Sequence, residues 1–304
     1  MLYVLYVDDE PMLLEIGKLF LERNKTFQVD VLDSGSKALD KIRITKYDAI
    51  ISDYEMPGMN GIALLKAVRT EYPLLPFIIF TGKGREEVAI EALNSGADHY
   101  VLKGGDPTSQ FAELKHNIER AVERKQAQDT IIHLSRLNAV LSSTNRAVIR
   151  IRDQQELLNE ACRIAVEEGK FLMAWIGLVD PETHIVNPVA ACGYEEGYLS
   201  NLSISIDNIP QGMGLTGTTI REGCLMIIND IASDPLIAPY RDEAAKRGYR
   251  SSASIPLHCG KRIIGAMRFY SGETNFFNEQ ENQLLTDLVD DISFALEIME
   301  NGRV

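Results

Sequence analysis

The stretch Asp48-Ala49-Ile50-Ile51-Ser52-Asp53-Tyr54-Glu55-Met56-Pro57-Gly58-Met59-Asn60-Gly61 decides the reading of the first half of the chain. A short apolar run bounded by polar residues reads as a strand buried on both faces. Asp53 ends that strand. Pro57-Gly58 is a turn signal, and Asn60-Gly61 opens a helix that runs to Tyr72. The unit is thus strand, acidic residue, turn and helix.

Working outward, the same alternation recurs. Leu2–Val7, Phe27–Leu32, Phe77–Thr81 and His99–Leu102 read as further strands. Pro11–Asn24, Ser34–Arg43 and Gly84–Ser95 read as helices, with Pro11 in a first turn, Ser34 as a cap and Gly96 ending the last. Five such alternations predict an α/β, doubly wound, five-stranded parallel sheet. Ligands of such sheets gather beyond the carboxyl ends of the strands. Asp8 and Asp9 follow the first strand, Asp53 the third and Lys103 the fifth, and Thr81 ends the fourth. Three carboxylates on one rim favour a hard divalent cation, most simply Mg2+. A lysine and a hydroxyl beside them suit a developing phosphoryl dianion. Each residue alone has a plain alternative as a cap, a turn or a solvated charge. Their order at successive strand ends carries the argument.

Residues 1–122 resemble the receiver domain of two-component response regulators, a flavodoxin-like fold. Asp8 and Asp9 match the family's acidic pair, Asp53 its phospho-acceptor, Thr81 its switch hydroxyl, Tyr100 its switch aromatic and Lys103 its lysine. The loop Asp53–Gly61 matches almost residue by residue. The resemblance implies phosphoryl transfer from a histidine kinase to Asp53. It also implies Mg2+ held by Asp8 or Asp9, Asp53 and the Glu55 backbone carbonyl. Lys103 then pairs with the phosphate, Thr81 swings to it, and Tyr100 moves into the space left. Glu55 and Lys83 match positions that tune self-hydrolysis in that family. One departure is that Gly104-Gly105 stands where the family usually has proline, which predicts a softer loop.

From Phe111 a long helical pattern begins. Phe111, Leu114, Ile118, Ala121 and Ile132 share one phase, while Leu134, Leu137, Leu141, Val148 and Ile151 share a shifted one. Residues 123–145 therefore read as a helical linker. Either each half packs on its own domain, or the segment dimerises as a coiled coil. Beyond it, six strands are predicted: Phe171–Val179, Ile185–Ala191, Leu202–Ile206, Leu225–Asn229, Ser254–His258 and Arg262–Tyr270. Helices at Asp153–Glu168 and Asn278–Glu300 flank them, giving an α+β domain with a mostly antiparallel sheet.

Residues 146–300 resemble a GAF domain, a sensing and dimerising module. The resemblance rests on Met173–Asp180, Gly214–Thr218, Ile228–Ile231, Ser251–Leu257 and Ile263–Ala266. It implies dimerisation, a small-molecule ligand, or both, with candidate contacts at Trp175, Cys192, Thr218, Asp230, Tyr240, Arg241 and Ser252. For Trp175 the plain reading is core. Gly212–Gly217 matches GxGxxG, but no parallel strand precedes it and Asp230 comes too early for dinucleotide binding. His258-Cys259 are adjacent on a strand and point to opposite faces, so they are poor co-ligands.

The 304 residues are 45% hydrophobic and 25% charged, with net charge −13, and both halves are acidic. That argues against nucleic-acid and membrane-surface partners. Four cysteines without a CxxC fit a reducing, cytoplasmic setting. The longest apolar run, Phe171–Val179, is far short of the roughly 20 residues that span a bilayer. The opening residues lack the basic region of a secretory signal. The expected function is a response regulator that catalyses only its own phosphorylation and dephosphorylation. Its partners are a histidine kinase and a second copy of itself. Two alternatives stay open: a GAF sensor that controls receiver phosphorylation without an output of its own, and a fragment-like relative of a hybrid sensor kinase. The latter has little support, since His133 is followed by Leu134-Ser135 and no ATP-binding domain is recognisable.

Overall fold

The computed structural model describes residues 1–82 and 86–302. The chain forms two compact units that divide between Ile131 and Ile132.

In the first unit the elements are β1 (Leu2–Val7), α1 (Pro11–Glu22), β2 (Phe27–Leu32), α2 (Gly35–Ile44), β3 (Ala49–Ser52), α3 (Gly61–Glu71), β4 (Phe77–Thr81), α4 (Glu86–Asn94) and β5 (His99–Leu102). All pairings are parallel, in the order β2-β1-β3-β4-β5. The strands are apolar throughout because both faces are covered. Val4, Tyr6, Ile51 and Phe80 face α1 and the start of the next helix, where Phe111, Leu114 and Ile118 are buried. Leu5, Val7, Ile50 and Ile79 face α2, α3 and α4 through Ile42, Leu65 and Ala92.

One detail differs from expectation. Ser34 does precede α2, but its hydroxyl lies 2.9 Å from the Ser36 hydroxyl and caps no backbone N–H. The helix expected from Gly84 is described from Glu86, and Gly84 and Arg85 lie outside the described residues.

Helix α5 runs unbroken from Pro107 to Arg150. Its first turns belong to the first core. Val140 and Ala147 are buried in the second, with Leu137, Leu141, Val148 and Ile151 against it. Between these stretches Ile132 and Leu134 are exposed. Each half thus packs on its own unit.

The second unit continues with α6 (Gln154–Glu167), β6 (Met173–Val179), β7 (Val186–Gly193), α7 (Leu215–Glu222), β8 (Met226–Ile228), α8 (Arg241–Lys246), β9 (Ser251–Cys259), β10 (Arg262–Ser271) and α9 (Glu279–Asn301). Its sheet has the order β7-β6-β10-β9-β8, and every pairing is antiparallel. One face packs on α5, α6 and α9. The other lies under α7, α8 and the long connections.

The sheet has five strands, not the six predicted. Leu202–Ile206 forms only an isolated bridge between Ser205 and Ile185. Val186 N–H donates to the Ile204 carbonyl beside the edge strand β7. The next outward-facing position on β7 is Pro188, which has no N–H to continue the ladder. The apolar pattern of a strand was present, but beyond Val186 its neighbour offered no further donor.

Candidate functional site

The carboxyl rim of the parallel sheet brings the sequence-predicted residues of the first unit together. Asp8 follows β1, Asp53 follows β3, Thr81 ends β4 and Lys103 follows β5. Asp8 is fully buried, Asp53 and Thr81 are nearly so, and Asp9 is exposed. The Lys103 ammonium bridges two acids, 2.6 Å from Asp8 Oδ2 and 3.0 Å from Asp53 Oδ1. Carboxylate oxygens of Asp8, Asp9 and Asp53 lie within 4.8 Å of one another. Asp9 and Asp53 border a cleft of about 600 Å³ lined also by Glu55, Asn60, Thr81 and Lys103.

Local hydrogen bonds hold the geometry. The Asp53 N–H donates to the Val7 carbonyl at 2.8 Å, fixing the loop against β1. The Glu55 N–H donates to Asp53 Oδ2 at 3.0 Å, and the Glu10 N–H to Asp8 Oδ1 at 3.1 Å. The Lys103 N–H donates to the Thr81 carbonyl at 2.7 Å. Asn60 caps α3 by accepting from the Ala63 N–H at 2.8 Å. Gly61 must be glycine, because a Cβ there would stand 2.2 Å from the Asp53 carbonyl oxygen. Gly104 and Gly105 take φ of 147° and 84°, open to glycine, and Lys103 still reaches the rim.

Electrostatics follow from burial. Desolvation raises the Asp53 carboxyl above its ordinary value; Lys103 opposes this and Asp8 adds to it. Desolvation works against the Lys103 ammonium, yet its hydrogen bond to Asp8 and the two carboxylate charges outweigh it and raise its pKa. Three acids against one lysine leave a net negative site. Oxygen donors at this spacing fit a hard divalent cation.

Tyr100 sits half-buried on β5 beside Ile79, at the edge of the core under α3 and α4. Glu55 lines the cleft, and Lys83 lies outside the described residues. Sequence reasoning missed Tyr6, whose buried hydroxyl donates to Asp8 Oδ2 at 3.0 Å. It reads as one more apolar residue of β1, and only its register, two residues before Asp8, could have flagged it.

In the second unit Trp175, Ser252 and Tyr240 lie around Arg268, and the other candidates do not join them in one site. Trp175 is fully buried in the core under the connections. Cys192 packs on the opposite face of the sheet. Asp230 accepts from the Ala232 N–H and the Ser233 hydroxyl, closing a turn. Arg241 donates to the carbonyls of Ile231 and Asp234. Thr218 accepts from Arg221, and the Tyr240 hydroxyl donates to the Ser203 carbonyl at 3.3 Å. Ser252 is buried and accepts from Arg268 at 3.2 Å. Arg268 itself was missed, although an arginine in the run Ile263–Tyr270 is a visible anomaly.

Among the described residues no helix is long and apolar enough to cross a membrane. The profile of the response regulator receiver domain matches residues 4–115, and that of the GAF domain matches residues 151–297. Similar curated proteins include response regulator GtcR of Aneurinibacillus migulanus, 35% identical over 129 residues, which are 42% of this chain and 52% of that protein. Transcriptional regulatory protein ZraR of Escherichia coli K12 is 31% identical over 170 residues, 56% of this chain and 36% of that protein. The chain therefore spans about half or less of the length of these relatives. Among solved structures, the Francisella response regulator 1452 receiver domain is 31% identical over 41% of this chain and 98% of its own, with a TM-score of 0.38. Residues 4–115 of this chain are a response regulator receiver domain, and residues 151–297 are a GAF domain.

Proposed function

We propose that the chain is a two-component response regulator in which Asp53 is the phosphoryl acceptor. The observation that carries this is the Lys103 ammonium held between Asp8 and Asp53 at the open rim of the sheet. A carboxylate oxygen of Asp53 attacks the phosphorus of a kinase phosphohistidine. The P–N bond breaks as the P–O bond forms, and the imidazole leaves with a proton. The product is an acyl phosphate. Mg2+, held by Asp8, Asp9, Asp53 and the Glu55 carbonyl, would neutralise charge on the transferred group. Lys103 already stands where it can exchange Asp53 for a phosphoryl oxygen. Thr81, at the end of β4, is the hydroxyl that turns to the phosphoryl group, and Tyr100 on β5 follows it. Outside this self-modification the chain is not an enzyme.

The partner is a histidine kinase, and the setting is the cytoplasm. The GAF domain carries or modulates the output by dimerising, by binding a small molecule, or by both. The net charge of −13 supports an output other than direct binding to nucleic-acid phosphates.

Acetyl phosphate with Mg2+ is expected to add one phosphoryl group, seen in the intact mass. Hydroxylamine should remove it and EDTA should prevent it. A label that resists hydroxylamine, or no label, overturns the assignment. Beryllium fluoride with Mg2+ is expected to increase self-association in sedimentation velocity. An unchanged sedimentation coefficient would count against phosphorylation-driven dimerisation.

A further inference from the structure

The GAF sheet face turned away from α6 and α9 holds a guanidinium that no acid among the described residues balances. Arg268, in the middle of β10, is 3% exposed. Its Nη2 donates to Ser252 Oγ at 3.2 Å, and its charge sits 4.8 Å from the centre of the Tyr270 ring. Its Nε has no partner, and no carboxylate pairs with it among the described residues. A buried charge left without a counter-charge is costly to the fold. Retaining one suggests that something else completes the site.

The pairing of strands decides what surrounds it. Arg268 stands opposite Trp175 on β6 and Ser254 on β9, so the three side chains share one row and one face. Ser254 Oγ is buried without a partner. From the covering layer comes Thr216, in the first turn of α7, 1% exposed and also without a partner for its hydroxyl. Arg268 and Thr216 line a common cavity with Leu202, Gln211, Leu236 and Tyr240. The cavity is about 10 Å³, room for about one water. The N-terminus of α7 adds partial positive charge, and its cap residue Gly214 has no side chain to offset it. Arginine, hydroxyls and a helix N-terminus converge here, and no anionic group among the described residues answers them.

We propose that this face binds the oxyanion head of a small carboxylate- or phosphate-bearing molecule, with Arg268 as its charge partner and Thr216 as a hydroxyl donor. A lone water would satisfy hydrogen bonds but leave the charge unbalanced. Anything larger than a single water, the oxyanion head included, enters only as the segments bearing Leu202, Leu236 and Tyr240 move outward. Binding and rearrangement of the covering layer are then one event, which is what a sensor requires. This rests on the sensory role proposed for the GAF domain. It is independent of Asp53 phosphorylation, whose intact-mass readout stands whichever way the anion test falls.

The test is thermal unfolding of the full chain in inorganic phosphate or acetate, against chloride at equal ionic strength. One of the two anions is expected to raise the Tm of the GAF transition saturably. Acetate alone would identify a carboxylate ligand, and phosphate alone a phosphorylated one. The rise should vanish in Arg268→Met and need several-fold more anion in Thr216→Val, which keeps the shape of the site. Without anion, Arg268→Met should be at least as stable as the wild type. No rise beyond chloride, or an equal rise in Arg268→Met, overturns the proposal. So does a marked loss of stability in anion-free Arg268→Met, which would make the arginine structural and water-satisfied. Should that variant not fold, an unchanged midpoint in Thr216→Val is also overturning.

Discussion

Asp53→Asn is expected to abolish phosphoryl labelling altogether while making the metal-free receiver more stable at neutral pH. The first effect is chemical, since the amide oxygen is no nucleophile and cannot form the acyl phosphate. The second follows from the site's charge. Burial, with Asp8 nearby, raises the Asp53 carboxyl in the folded state despite Lys103. The folded chain then holds that proton to higher pH than the unfolded chain does. As pH rises from the ordinary carboxylate range through the raised value, ionisation costs the native state stability. The advantage of asparagine is full above that window and disappears below it. The remaining Lys103–Asp8 contact at 2.6 Å is untouched by the change. Mg2+ should stabilise the wild type and narrow the difference, because it neutralises the repulsion that asparagine removes. The measurements are intact mass after acetyl phosphate and denaturation as a function of pH with and without Mg2+. Residual labelling in Asp53→Asn would move the acceptor elsewhere. A less stable variant at neutral pH would show that the site's repulsion is already compensated.

Arg136→Met is expected to destabilise the GAF unit by about 3 kcal/mol, a fall of roughly 10 °C in its transition. Glu281, near the start of α9, is 2% exposed. Arg136, on the second half of α5, meets its carboxylate directly, while His133 Nδ1 lies 3.4 Å from the same oxygen. Arg136 also donates to the Gly169 carbonyl at 2.8 Å and stands 5.3 Å from the centre of the Phe276 ring. Removing it leaves a buried carboxylate facing only a histidine. The double variant Arg136→Met/Glu281→Leu should recover most of the loss, because it removes both charges and keeps the packing volume. Calorimetry on the single and double variants measures both. A single-variant cost below about 0.5 kcal/mol, typical of an exposed pair, would mean that the carboxylate keeps its water.

How much was legible in advance differs between the two units for a physical reason. In the receiver, each strand–turn–helix unit is local, and parallel pairing places every strand's carboxyl end on one rim. Reading Asp8, Asp53, Thr81 and Lys103 at successive strand ends therefore located the cleft without distances. Tyr6 escaped because its hydroxyl acts through register, while its sequence context is an ordinary apolar strand. In the GAF unit, the antiparallel sheet and its flanking helices were readable from pattern. The strand count was not, because Leu202–Ile206 has the composition of a strand and fails only against Pro188 on its neighbour.

The α/β unit, the α+β unit after it and the acidic rim were legible in the sequence, since these rest on local periodicity and on residues at strand ends; the domain types came from resemblance to known families. Only the tertiary structure decided that α5 is one unbroken helix with exposed residues between its two packed stretches. It alone joined Arg136 to Glu281, 145 residues apart. It alone set Ser254, Arg268 and Trp175 in one row, with Thr216 from the covering layer across the same cavity as Arg268. Those groups come from separate elements, and their meeting depends on strand register and helix docking, which no window of the sequence contains.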